Sequence, residues 1–232
     1  MRFSRWQAHG NVYLLADERG LDSDRVRAEV GDADGILEVV GLGEDWAEIR
    51  VWNPDGSTAE MSGNGTRIAA RWLMEESGRD RVRIRVGGRD VAARLLPDGQ
   101  VEQEMGEVEV GAEEEIGGIR FTPVSVGNPH AVVAGDPAEI VRIGPLLETH
   151  PRFPERTNVQ VARVEAPGRL VARVWERGAG ETASSGTSAV AVAAALEGEG
   201  TIDVAFPGGT LRVRLDGGRA WLTGPADRAR RS

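Results

Sequence analysis

Hydrophobic and polar residues alternate with a period of two over residues 47–52, 81–86, 108–110, 161–164, 170–175 and 211–215. Side chains of a strand point alternately to its two faces, so these segments predict half-exposed antiparallel strands. Turn triplets at Pro97-Asp98-Gly99 and Asp216-Gly217-Gly218 break the pattern between them. Helical spacing is rarer. It covers residues 66–76, the alanine-rich 185–197, and 137–148, where Asp136 stands as an N-cap. A chain rich in strands with a few interspersed helices reads as α+β rather than a doubly wound sheet.

The two alanine-rich helices are entered in the same way. Glu60-Met61-Ser62-Gly63-Asn64-Gly65-Thr66-Arg67 leads into one, and Thr182-Ala183-Ser184-Ser185-Gly186-Thr187 into the other. Laying Ser62-Gly63 on Ser185-Gly186 also lays Leu73 on Leu196, a constant offset of 123 residues. This predicts two pseudo-symmetric halves, 1–110 and 111–232, each a strand-rich sheet or barrel around a central helix. The acidic, glycine-containing stretch 106–118 is the boundary, and a C-terminal strand or tail can cross between halves. Each Ser-Gly elbow brings a small hydroxyl and unpaired backbone N–H groups to a helix N-terminus, where negative charge is stabilised.

Composition removes several chemistries. All 28 basic residues are arginine, and cysteine is absent. Without lysine there is no internal Schiff base for pyridoxal phosphate and no P-loop lysine. Without cysteine there are no disulfides, zinc-thiolate sites or thiol nucleophiles. The net charge of −9 disfavours nucleic acid and anionic membranes. The basic tail Arg228-Ala229-Arg230-Arg231 reads as a solvated end. No run approaches the ~18 apolar residues of a spanning helix, and Met1-Arg2-Phe3-Ser4-Arg5-Trp6 has no apolar signal core, so a soluble cytoplasmic protein is expected.

Seven motifs then line up in order: Gly10-Asn11, Asp34-Gly35, Asn53-Pro54-Asp55-Gly56-Ser57, Ser62-Gly63-Asn64-Gly65-Thr66-Arg67, Gly127-Asn128-Pro129-His130, Arg156-Thr157-Asn158-Val159 and Glu176-Arg177-Gly178-Ala179-Gly180-Glu181-Thr182. With these the chain resembles the diaminopimelate epimerase family over nearly its whole length. The resemblance implies a cytoplasmic homodimer that needs no cofactor and no metal, takes a small amino-acid substrate between its halves, and serves lysine and cell-wall precursor synthesis. It also implies two acid–base groups, one from each half, that the family supplies as cysteines. Here those positions are Ser62 and Ser185.

An alcohol is a far weaker acid than a thiol, so each serine needs a neighbouring base. His130 and Glu176 match positions that support the two cysteines and complete the expected catalytic set. For substrate binding the resemblance implies Asn11, Asn53, Asn64, Asn128 and Asn158 as amides, Gly63, Gly186 and Thr187 at the helix ends, Glu176 for an ammonium and Arg177 for a carboxylate.

Plainer readings stand beside these. Asn53 in Asn53-Pro54-Asp55-Gly56 is ordinary turn chemistry, His130 can be a buried, satisfied histidine, and Gly63-Asn64-Gly65 can be a helix-entry turn. Trp6, Trp46, Trp52, Trp72, Trp175 and Trp221 read as packing residues. Function is therefore open between an epimerase of diaminopimelate, a related isomerase with another substrate whose acid–base group is a carboxylate, and an amino-acid-binding homologue without turnover.

Overall fold

The residues at 47–52 and 81–86 are strands because their odd and even positions meet different surroundings. Val51 and Ala47 are buried, and Glu48 and Arg50 are exposed. A computed structural model describes residues 2–229 of the chain; Met1 and the tail residues Arg230, Arg231 and Ser232 lie outside them. The chain divides into two units, Met1–Glu104 with Thr223–Ser232, and Met105–Leu222.

In the first unit the elements run β1 (Phe3–Ala8), β2 (Asn11–Ala16), α1 (Ser23–Glu29), β3 (Gly35–Leu42), β4 (Trp46–Trp52), β5 (Thr58–Ala59), α2 (Gly63–Ser77), β6 (Arg81–Val86), β7 (Arg89–Leu95) and the start of β8 (Val101–Glu107). β1 and β2 form a hairpin through His9-Gly10, both at positive φ, as a tight two-residue turn requires. β2 and β3 are parallel, with α1 in the crossover, and β4 and β6 are parallel, with α2 in theirs. The pairs β3–β4, β6–β7 and β7–β8 are antiparallel. The sheet wraps α2: Ile68, Ala69, Ala70, Trp72 and Leu73 pack on Trp6, Leu15, Leu37, Ile49 and Ile84. Each large side chain so buried contributes about 1.5–3 kcal/mol. α1 lies on the other face of the sheet and buries Val26 beside Ile36 and Trp52.

The second unit repeats this order. Its elements are β9 (Glu109–Val110), β10 (Glu114–Ile116), β11 (Ile119–Ser125), β12 (Pro129–Ala134), α3 (Ile140–Glu148), β13 (Asn158–Ala166), β14 (Arg169–Glu176), β15 (Gly180–Thr182), α4 (Gly186–Leu196), β16 (Gly200–Phe206), β17 (Gly209–Asp216) and β18 (Arg219–Gly224). The short β19 (Asp227–Arg228) returns to pair with β1, as β9 pairs with β11. β12–β13 and β14–β16 are parallel, and β11–β12, β13–β14 and β16–β17 antiparallel, matching the first unit strand for strand. α4 is apolar on all sides and is buried from Ser188 to Ala193, the pattern of a helix surrounded by sheet.

The helix expected at 137–148 begins as a 3-10 turn, Pro137–Glu139, capped by Asp136, and becomes α-helical from Ile140. It packs closely: a Cβ at Gly144 would sit 2.6 Å from Cγ of Trp175, so only glycine lets α3 rest on that indole. At the other end of the chain, Arg228 is held, stacking over Trp6 and pairing with Glu75. No helix among the described residues is long and apolar enough to cross a membrane.

Candidate functional site

In the first unit, site residues gather at the N-terminus of α2. Ser62 is the N-cap, in extended conformation, and its Oγ accepts from the Gly65 N–H at 3.0 Å. A Cβ on Gly65 would meet Leu37 at 2.8 Å, so glycine is needed for the elbow to sit on β3. Asn11 and Tyr13 lie two apart on β2 and so share a face. The Tyr13 phenol is 3.0 Å from Ser62 Oγ. Asn11 Oδ1 accepts from the Asn64 amide at 2.5 Å, and Asn64 Oδ1 accepts from the guanidinium of Arg67 at 2.6 Å. Gln103 Nε2 donates to the Gly63 carbonyl. Asn53, just past β4, spends its amide on the Ser57 hydroxyl and its backbone on the 53–57 turn, so here the turn chemistry is visible.

In the second unit the corresponding elbow opens α4. Ser185 is again an extended N-cap, but its hydroxyl does not bond back to the helix. It lies instead against the carboxyl of Glu176, beside Thr182. Burial pushes the Glu176 pKa up, and the two hydroxyls offset part of that rise. Gly186 and Thr187 follow in the first turn of α4. Asn158, at the start of β13, orders its neighbours: Oδ1 accepts from the Arg177 backbone N–H and Nδ2 donates to the Pro129 carbonyl. The Arg177 side chain is exposed and donates to the Glu155 carbonyl.

His130 occupies the position on β12 that Tyr13 occupies on β2. Tyr13 stands opposite Gly35 and His130 opposite Asn158, two residues separated by the same offset of 123. Its chemistry differs. The Gln160 amide nitrogen contacts both Ser188 Oγ and His130 Nδ1, while His130 Nε2 meets Asn128 Oδ1 at 3.0 Å. Burial drives the His130 pKa down to about 3, with Arg177 lowering it further against the Gln160 contact. The ring is therefore neutral and both nitrogens are engaged, and Glu176 is the group lying against Ser185.

Two further residues shape the site, and both are carboxylates buried away from it. Trp52, the last residue of β4, donates its indole N–H to Glu38 at 2.9 Å, and Trp175, which precedes Glu176, donates to Glu148 at 2.8 Å. Glu148 also accepts from the Gly178 N–H at 2.8 Å and pairs with Arg156. Burial raises its pKa, but the Gly178 and Trp175 donors and Arg156 outweigh that, and its pKa is lowered overall. The turn carrying Glu176 and Arg177 is thus pinned on both sides.

A model of the family described as diaminopimelate epimerase matches residues 23–111 and 122–228. A diaminopimelate epimerase of Synechococcus sp. (strain JA-3-3Ab) is 36% identical, over 97% of this chain and 95% of its own length. That of Carboxydothermus hydrogenoformans is 32% identical, over 98% and 97%. Among solved structures, a phenazine biosynthesis protein of Bacillus anthracis is similar with a TM-score of 0.72 at 14% identity, over 99% of this chain and 98% of that one. A hydroxyproline epimerase of Agrobacterium vitis gives 0.67 at 15%, over 98% and 88%. At those identities the likeness is one of fold.

Proposed function

This chain belongs to the diaminopimelate epimerase family, and on that premise we propose that it is an isomerase interconverting LL- and meso-diaminopimelate by proton transfer at Cα. Ser185 and Glu176 form one acid–base pair, and Ser62 and Tyr13 the other. The single observation that carries this reading is the half-buried Glu176 carboxyl, its pKa raised by burial and drawn back in part by the Ser185 hydroxyl at the N-terminus of α4.

As Glu176 takes the Ser185 proton, the Ser185 oxygen takes the proton from Cα, and the C–H electron pair passes into the adjacent carboxylate. Ser62 then delivers its hydroxyl proton to the opposite face, and the Tyr13 phenol replaces it. In the reverse direction the pairs exchange roles. The N-terminal N–H groups of α2 and α4 stabilise the charge that collects on the carboxylate during transfer. Arg177 pairs with the distal carboxylate, a role its exposed guanidinium suits. No step calls on pyridoxal phosphate, in keeping with a chain that has no lysine. The homodimer, cytoplasmic setting and place in lysine synthesis that the family resemblance implies belong to the same reading.

Incubating the protein with LL-diaminopimelate and separating the stereoisomers by chiral chromatography tests it. Accumulation of the meso form toward equilibrium is expected. Binding without conversion would leave the chain an amino-acid-binding homologue.

A further inference from the structure

Arg67 is the one arginine among the largest fully buried side chains, and among the described residues no carboxylate offsets its burial. Its contacts are all to neutral oxygens: NH2 to Asn64 Oδ1 at 2.6 Å and Nε to the Pro225 carbonyl at 3.2 Å, while NH1 has no partner. Burial lowers its pKa only to about 10, so it remains charged at neutral pH.

A guanidinium can only donate, whereas a side-chain amide can turn over and present either its oxygen or its nitrogen. Arg67 therefore decides which way Asn64 faces. With Oδ1 toward Arg67, Asn64 must direct Nδ2 outward, and Nδ2 donates to Asn11 Oδ1. Asn11 in turn is left with its NH2 group directed away from the relay, on a half-buried residue at the start of β2. Turning Asn11 alone would set NH2 against NH2, and turning both would set the Asn64 NH2 against the guanidinium.

The second unit reaches the same result with other residues. There Gln160 donates to His130 Nδ1, so Nε2 carries the proton and donates to Asn128 Oδ1, leaving the Asn128 NH2 unspent. Asn128 stands after the Gly127 turn as Asn11 stands after Gly10.

We propose that Arg67 is a positioning residue that locks the Asn64–Asn11 relay, so that Asn11 presents N–H donors and selects a carboxylate rather than an ammonium of the substrate. This rests on the amino-dicarboxylate reading given above.

Asn64→Asp tests it with meso-diaminopimelate as the calorimetric probe. The new carboxylate pairs with Arg67 and can only accept, so Asn11 must turn its NH2 inward and its oxygen toward the ligand. Affinity should fall tenfold or more, while the melting temperature rises because the buried cation gains an anion. Wild-type affinity in a folded Asn64→Asp protein would overturn the proposal. If the wild type binds no diaminopimelate, the functional reading fails by itself, and the relay is decided without ligand by side-chain amide hydrogen exchange. Slow Asn64 and fast Asn11 N–H exchange, with Asn64 protection lost in Arg67→Gln, supports it. The reverse pattern overturns it.

Discussion

The phenol of Tyr13 lies 3.0 Å from the hydroxyl of Ser62, and at the equivalent place in the second unit His130 turns to amides instead. The two serines thus have unlike partners, a phenol for Ser62 and a half-buried carboxyl for Ser185. Tyr13→Phe removes the phenol that faces Ser62, while the cap bond of Ser62 to Gly65 remains. The expected result is a fall in kcat of roughly tenfold or more with KM nearly unchanged, because the loss is felt in proton delivery. Steady-state kinetics in both directions checks this.

Glu176→Gln should reduce turnover by about 10²–10⁴-fold, the contribution of a positioned base. Its stability effect has the opposite sign. Because the Glu176 pKa is raised in the folded protein, ionising it there is harder than in the unfolded chain, and stability falls as pH rises from the ordinary carboxyl range through the raised pKa. Thermal melts should therefore show Glu176→Gln gaining on the wild type at pH 8, with the gain gone near pH 4.

For His130 the sign is reversed. The folded pKa of about 3 lies below the ordinary 6.5, so between those values the unfolded chain binds a proton that the folded protein refuses. Stability is lost as pH falls through this window, by up to about 1.4 kcal/mol per pH unit from this group. Denaturant titrations from pH 7 to 4 should show a shallower decline for His130→Gln than for the wild type.

Glu148→Ala leaves the Trp175 indole and the Gly178 N–H without an acceptor. Both bonds are only part-buried, so each lost acceptor falls toward the low end of the about 1–3 kcal/mol of a buried donor, and a destabilisation of roughly 2–3 kcal/mol is expected by denaturant titration. Glu148→Gln keeps one acceptor and should lose less.

Much of this was legible in residue order, and the exceptions have physical causes. The strands at 81–86 and 170–175 show themselves because one face meets solvent. β3 and β12 do not alternate: Ile36, Leu37, Glu38 and Val39 are buried in succession, as are Ala131, Val132 and Val133, since one helix covers each face of the sheet, α2 and α1 over β3 and α4 and α3 over β12. α1 was hidden because only Val26 among its residues is buried. The elbows at Ser62 and Ser185 could be found from the 123-residue repeat. Tyr13 escapes that offset, because Asn11-Val12-Tyr13 and Asn128-Pro129-His130 hold equivalent places at a spacing of 117 residues, so the repeat is out of step there. Glu38 and Glu148 could not, as a carboxylate's burial depends on indole and backbone donors far away in sequence. The tryptophans Trp52 and Trp175, readable as packing residues, prove to anchor the strand ends next to Asn53 and Glu176.

Introducing thiols probes the serines directly. On the proposal that Glu176 and Tyr13 support the two hydroxyls, Ser62→Cys with Ser185→Cys should retain Cα–H exchange, and any gain reports how far the alcohols limit the wild type. Its pH–rate profile should move to the range where thiols ionise, near pKa 8.5 or below at a helix N-terminus.

The most direct test of proton transfer by the serine pairs is the incubation of LL-diaminopimelate with the wild type, Ser62→Ala and Ser185→Ala in deuterated water, reading deuterium at Cα by mass spectrometry with chiral separation. The expected result is incorporation in the wild type with inversion, and its abolition in both variants. Absence of deuterium from the wild type, or undiminished incorporation in either alanine variant, would contradict it.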